Sequence, residues 1–334
     1  IDSGTDYNHP LILDNFHFEL EEGRPVGIGY DYLGDDRWPA PYVALTSHIN
    51  PNMDEEGEKE GILLRRRTEQ LRDRFPQMSF FFNPLRNIRQ ELKRRVYHGT
   101  QVGGLMVYDE PRLGLIPYRA TRLNKIMKDG RQDLDTPSKS DVFFEQIRNA
   151  VNHAISKGVR VINLSFGLYD RAVREFREKR ESFKQIALDN PNVVFVAAAG
   201  NDGRRISEDS ALRIPCGISA PNILCVGALN DNNSLASFSD ILLIDSPFVA
   251  APGEDILSLF PTKMCNSDAL IVINNEDDEL PFKSDSWSRL FYESIERECS
   301  ESEGLKEASG TSMASPIVAR MIGKILLSNP NLSG

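Results

Sequence analysis

Near its C-terminus the chain reads Gly310-Thr311-Ser312-Met313-Ala314-Ser315-Pro316, a serine among small residues at the head of an apolar stretch. At the start of a helix the backbone N–H groups are unpaired and the dipole favours developing negative charge, which suits a nucleophile. A serine hydroxyl attacks a carbonyl only when a base takes its proton and a further group orients that base. The chain offers candidates for both far upstream. His98-Gly99-Thr100 opens a helix-like stretch, and Asp2-Ser3-Gly4 lies at a strand end. Small residues at a helix start also serve tight packing. The three positions together point to nucleophilic chemistry, and none of them does so alone.

With the order Asp, His, Ser, the chain resembles the subtilisin-like serine peptidases, the subtilase family, for which these three roles are established. The resemblance implies an α/β fold of three layers, a mostly parallel sheet flanked by helices, with two long insertions. It implies Asp2, His98 and Ser312 as the catalytic residues. It implies Asn201 as the side-chain donor of an oxyanion hole shared with the Ser312 backbone N–H, because an attacked carbonyl oxygen becomes an anion. Ser165, Phe166 and Gly167 correspond to the segment that holds substrate as an added strand, through main-chain hydrogen bonds. Ala198, Ala199 and Gly200 correspond to a wall of the pocket for the residue preceding the cut bond. The segments at Asn8 to Leu11, 223–227, 237–239 and 251–253 also match the family core.

The activity implied is that of a serine endopeptidase acting on protein or peptide substrates. An acyl transferase on the same fold and an inactive peptide-binding scaffold are the alternatives. The intact Asp2, His98, Ser312 and Asn201 weigh against the scaffold. A related group of acidic-pH peptidases replaces this histidine by glutamate and this asparagine by aspartate, so His98 and Asn201 exclude it.

Positioning these side chains requires a rigid frame. The run 159–164 reads as a buried strand ending at Ser165, and 193–196 as another ending before Asn201. Residues 113–118 and 223–227 complete the strand signals. A helix is predicted over 141–157, with Ser140 as N-cap, Gly158 as terminator and Ile147, Val151 and Ala154 as its buried face. A charge-rich helix is predicted over 170–189, ended by Pro191. Val102, Gly103 and Gly104 let the helix after His98 pack closely against the sheet. Ile317, Met321 and Ile325, flanked by Val318 and Ile322, predict a buried helix behind Ser312. His9 and His153 have no acidic or nucleophilic company and are read as structural.

The 334 residues, 40% of them hydrophobic, suffice for one large core. We read residues 1–334 as a single catalytic domain that is cut at both ends. Between 57 and 95, eleven basic residues face five acidic ones, within an insertion over about 37–95 that has helical spacing at Leu64, Thr68, Leu71 and Phe75 and again from Leu85 to Val96. A second, acidic insertion over about 261–308 carries Glu276-Asp277-Asp278-Glu279.

A net charge of -10 argues against binding nucleic acid, and no apolar run is long enough to span a membrane. No metal-ligand spacing is present and no cofactor is required. The resemblance allows a structural calcium ion and an inhibitory propeptide. It favours an extracytoplasmic or secreted site, which the residues themselves do not fix. Cys216 and Cys225 are read as small apolar fillers, and Cys265 and Cys299 as a pair that could close outside the cell. Where relatives close the pocket base, Glu208 or Asp209 would select a basic residue before the cut bond if it faced inward.

Overall fold

The computed structural model describes residues 1–7, 9–32, 37–39, 98–120, 139–169, 173–206, 213–261 and 304–332. Its strands are β1 (Glu19–Glu21), β2 (Arg24–Gly27), β3 (Tyr30–Asp31), β4 (Tyr118–Arg119), β5 (Val161–Leu164), β6 (Leu168–Tyr169), β7 (Val194–Ala198), β8 (Arg205–Ile206), β9 (Arg213–Ile214), β10 (Ile223–Leu229), β11 (Ile241–Leu242), β12 (Phe248–Pro252), β13 (Ile256–Leu259) and β14 (Leu305–Ala308). Its helices are α1 (His98–Val107), α2 (Lys139–Ser156), α3 (Val173–Asp189) and α4 (Thr311–Ser328).

The frame is a parallel sheet in the order β12-β10-β7-β5. Successive side chains of a strand point to opposite faces, so a strand such as β7 that is apolar throughout needs cover on both sides. Phe195 and Ala197 face one core with Ile147 and Val151 of α2 and Phe183 and Ala187 of α3. Val196 faces the other, with Ala314, Val318 and Ala319 of α4. This is the three-layer α/β architecture expected. Truncating a side chain as deeply buried as Phe195 to alanine costs about 3–5 kcal/mol.

Ile1 and Asp2 extend the ladder sideways. The Ile1 nitrogen donates to the Asn163 carbonyl of β5 at 3.0 Å. Asp2 N–H donates to Tyr118 O at 2.9 Å, and Ala120 N–H to Asp2 O at 3.0 Å. β4 in turn pairs in parallel with β3. Between those two strands, Arg119 Nη1 donates to Asp31 Oδ2 at 2.9 Å, with both side chains nearly inaccessible. The strand end that carries Asp2 is thereby stitched on both sides.

Several expectations are corrected. α2 begins at Lys139, so Ser140 lies inside the helix rather than capping it, while Gly158 ends it with φ +76°. α1 packs chiefly on α4 and β13, and Met106 reaches the core shared with Val196 and Val226 of the sheet; a Cβ at Gly104 would lie 2.6 Å from the Leu259 side chain. Met321 and Ile325 are 58% and 50% exposed while Ile322, Gly323 and Leu326 stay half-buried, so the covered face of α4 runs through Val318, Ala319, Ile322 and Leu326 instead. Apolar spacing offers adjacent faces, and packing decides which of them is covered.

Cys216 and Cys225 are joined as a disulfide, with Cα atoms 5.3 Å apart, instead of standing as separate fillers. The turn between Pro215 and Ile223 folds Cys216 back over β10, which the spacing of the two residues did not reveal. The acidic insertion is shorter than predicted at its end, because Leu305–Ala308 is β14, paired antiparallel with β13. The remainder of both insertions, Cys265, Cys299, Glu208 and Asp209 lie outside the described residues.

Both insertions leave and re-enter around one loop. Thr5 N–H donates to Pro39 O, Thr5 Oγ1 to Gly99 O, and His9 Nε2 lies 3.3 Å from Gly304 O. His9 is buried and structural in this role, as expected. His153 likewise packs edge-on against Tyr30 and Tyr118, and burial followed by the nearby Lys157 lowers its pKa. Among the described residues, no helix is long and apolar enough to cross a membrane. Among the same residues, no group of three His, Cys, Asp or Glu side chains could hold a metal ion.

Candidate active site

Asp2 is 7% exposed and is bound from two directions. Ser3 N–H donates to its Oδ1 at 2.7 Å, and His98 Nδ1–H donates to the same oxygen at 2.7 Å. Burial disfavours the carboxylate, but the charge and hydrogen bond of His98, with help from Ser3 N–H, outweigh it and hold the carboxyl below its usual range. An ionised Asp2 fixes the proton of His98 on Nδ1 and directs the lone pair to Nε2, the atom a general base would use.

His98 is the first residue of α1, whose opening turn is laced to the Asp2 loop. Gly99 N–H donates to Ser3 Oγ at 3.1 Å, and Asp6 N–H donates to Thr100 Oγ1 at 3.0 Å. The approach is so close that a Cβ at Gly99 would stand 2.0 Å from Gly4 O. Glycine is therefore required there for steric reasons.

Ser312 is the second residue of α4. Its hydroxyl donates to the Ser165 carbonyl at 3.0 Å, so in this structure its proton is directed at the end of β5 and not at His98. The Ser312 carbonyl accepts the Ser165 hydroxyl at 3.0 Å. It is free to do so because Pro316, four residues on, has no N–H to offer in the helical pattern. Asn163 Nδ2 donates to Ser165 Oγ at 2.9 Å, and Ser315 Oγ lies 2.9 Å from it. The sequence reading missed Asn163 and Ser315. Both sit within three residues of motif positions, and that proximity was the available signal.

Asn201 follows β7 on an exposed loop. Its Oδ1 accepts Thr311 N–H at 2.8 Å and the Thr311 hydroxyl at 2.9 Å. A main-chain N–H can only donate, so the atom facing it is the oxygen, and Nδ2 remains as a donor beside Gly310 and the helix start. Gly200 N–H donates to Thr311 Oγ1 at 3.0 Å. Thr311, fully buried between these groups, was also missed.

Of the remaining residues expected at the site, Phe166 is half-buried against Phe143, while Gly167 is exposed with open space on its Cβ side. Ala198 is buried, and Ala199 belongs to the core with Phe195 and Ala197. Gly200 is half-buried.

The order of these residues along the chain and the parallel sheet behind them find their counterpart in a family comparison: residues 1–334 match the model of the subtilase family. The chain belongs to the subtilase family. It is 26% identical over 216 residues to the major intracellular serine protease of Bacillus subtilis (strain 168), a match covering 60% of this chain and 62% of the relative. It is 32% identical over 169 residues to alkaline protease 1 of Aspergillus clavatus, covering 48% of this chain and 35% of the relative. This subtilase thus spans less than two thirds of the length of either relative.

Among solved structures, a lanthipeptide protease is similar with a TM-score of 0.55 at 17% identity, over 100% of this chain and 74% of the other. A cold adapted subtilisin-like serine proteinase gives 0.52 at 17%, over 99% and 75%. At such identities these likenesses establish the subtilisin-like fold.

Proposed function

We propose that this subtilase is a serine endopeptidase in which Ser312 is the nucleophile, His98 the general base and Asp2 the group that orients it. The observation that carries this reading is the 2.7 Å bond from His98 Nδ1 to the buried Asp2, residues 96 positions apart in the chain. That contact holds the imidazole proton on Nδ1 and prepares Nε2 to accept another.

A polypeptide lies along Ser165-Phe166-Gly167 as an added strand, with Ala198 and Gly200 near the residue preceding the cut bond. Ser312 Oγ, released from the Ser165 carbonyl, attacks the scissile carbonyl carbon as its proton passes to His98 Nε2. The carbonyl oxygen takes the negative charge and is stabilised by Asn201 Nδ2–H and Ser312 N–H. The imidazolium, balanced by Asp2, protonates the departing amine nitrogen as the C–N bond breaks. Water then attacks the acyl-enzyme by the same route and frees Ser312. No metal or organic cofactor enters these steps.

The test is to label the folded protein with a fluorophosphonate and map the modified residue. Labelling is expected at Ser312, and Ser312→Ala is expected to abolish it and to lower turnover about 10⁶-fold, the size seen for that substitution in a subtilase. Label on another residue, or an active Ser312→Ala variant, overturns the reading. Product masses with and without an added amine distinguish hydrolysis from acyl transfer.

A further inference from the structure

The loop that carries Asn201 lies in solvent, yet a buried side chain beneath it binds two of its N–H groups, alongside main-chain bonds that include Ile241 N–H to Arg204 O at 2.9 Å. Asp240 has no accessible surface. Its Oδ1 accepts Asp202 N–H at 3.2 Å and Arg204 N–H at 2.6 Å. Its own N–H donates to Gly200 O at 2.9 Å. The peptide groups on both sides of Asn201 are therefore bound by one residue 39 positions away in the chain. Gly203, with φ +63°, completes the turn by donating to Phe238 O at 2.7 Å, and a Cβ there would lie 2.7 Å from Ser237 O.

Thr311 fixes the Asn201 side chain at its oxygen, but that grip can place Nδ2 correctly only if the Asn201 backbone is itself held. A carboxylate suits this task. It accepts several N–H bonds on one oxygen, and charge-assisted bonds of this kind are about twice as strong as neutral ones. In an exposed loop without such an anchor, the donor would wander by the fraction of an ångström that matters for charge stabilisation.

We propose that Asp240 is a positioning residue for the reaction, whose carboxylate anchors residues 200–204 so that the Asn201 amide stands where the oxyanion forms. The proposal rests on the reading of Asn201 as an oxyanion donor. Asp240 touches no substrate and acts through Asn201 alone.

The experiment is a double-substitution cycle on a peptide p-nitroanilide, with kcat and KM measured for wild type, Asn201→Ala, Asp240→Ala, Asp240→Asn and the Asn201→Ala/Asp240→Ala pair. Asp240→Ala is expected to lower kcat by about 10- to 100-fold with KM within about 2-fold, as for the loss or misplacement of a transition-state donor. Asp240→Asn keeps an acceptor oxygen and is expected to retain kcat within about 3-fold. In the Asn201→Ala background, Asp240→Ala is expected to cause no further loss. Equal losses in both backgrounds, or a wild-type kcat for folded Asp240→Ala beside a crippled Asn201→Ala, overturn the proposal and leave the oxyanion reading intact. A wild-type kcat for Asn201→Ala removes the oxyanion reading itself, and the Asp240 proposal with it.

If Asp240→Ala does not fold, amide hydrogen exchange in the Ser312→Ala protein decides. Asp202 and Arg204 N–H are expected to be protected despite their exposed loop, and faster exchange is expected at these two amides in Asp240→Asn. Unprotected amides at both positions sink the proposal.

Discussion

Thr311 grips Asn201 twice, through its main-chain N–H at 2.8 Å and its hydroxyl at 2.9 Å, both donated to Asn201 Oδ1. The residue directly before the proposed nucleophile thus decides which way the proposed oxyanion donor points. The same hydroxyl accepts Gly200 N–H, so one oxygen links β7 to the start of α4.

Thr311→Val keeps the shape and the main-chain bond but removes the hydroxyl. We expect kcat to fall about 10-fold, less than the 10²- to 10³-fold known for loss of the whole donor in an enzyme of this family. The unpaired Gly200 N–H should lower stability by about 1–3 kcal/mol. Steady-state kinetics and urea unfolding measure the two effects, and Thr311→Ser should restore most of both.

Asp2→Asn should leave the fold in place and remove the charge that sets the imidazole proton on Nδ1. Turnover is expected to fall about 10⁴-fold with little change in KM, the size known for this substitution in triad enzymes. A loss of less than tenfold would mean that the contact between Asp2 and His98 is only structural.

Gly99→Ala places a methyl group 2.0 Å from Gly4 O, a backbone atom that cannot swing aside. Either α1 or the Asp2 loop must move, and the Asp2–His98 bond is lost or lengthened. We expect a protein with lower thermal stability and a kcat reduced by at least about 10²-fold, since displacement near 1 Å at a catalytic group costs that much. The proton resonance of the His98–Asp2 hydrogen bond, followed by NMR, should shift or disappear.

Glu110, beside the end of α1, makes a prediction about pH. Arg112 Nε donates to its Oε1 at 2.9 Å and Lys324 Nζ of α4 lies 3.0 Å from Oε2. The bonds from Arg112 and then Lys324 bring its pKa down from 4.5 to about 2. A carboxyl depressed on folding contributes stability above its unfolded pKa and loses it as pH falls through the folded value. Wild type should therefore be more stable than Glu110→Gln above pH 4.5. The difference in melting temperature should shrink as pH falls from 4.5 toward about 2.

Much of the site was legible in the chain because its chemistry depends on residue type. Asp2, His98, Ser312 and Asn201 each stand in a short motif, and buried strands such as β5, β7 and β10 announce themselves as apolar runs. Element ends were read less well. Ser140 looked like a cap, but the helix begins one residue earlier at Lys139, and a capping signal fixes a helix end only to within a residue or two. The α4 stripe was placed to one side of the covered face: Met321 and Ile325 are exposed, whereas Ile322 and Leu326 are half-buried.

The sequence by itself determined the family, the layered α/β fold and the identity of the candidate nucleophile, base and orienting carboxylate. Local motifs and apolar periodicity are carried by neighbours in the chain. Only the tertiary structure decided that Asp2 meets His98, that Thr311 orients Asn201, that Asp240 anchors its loop and that Cys216 joins Cys225. Each of those contacts is made between chain segments brought together by the packing of the sheet and helices, and a hydrogen bond or a disulfide depends on a distance that spacing along the chain does not encode.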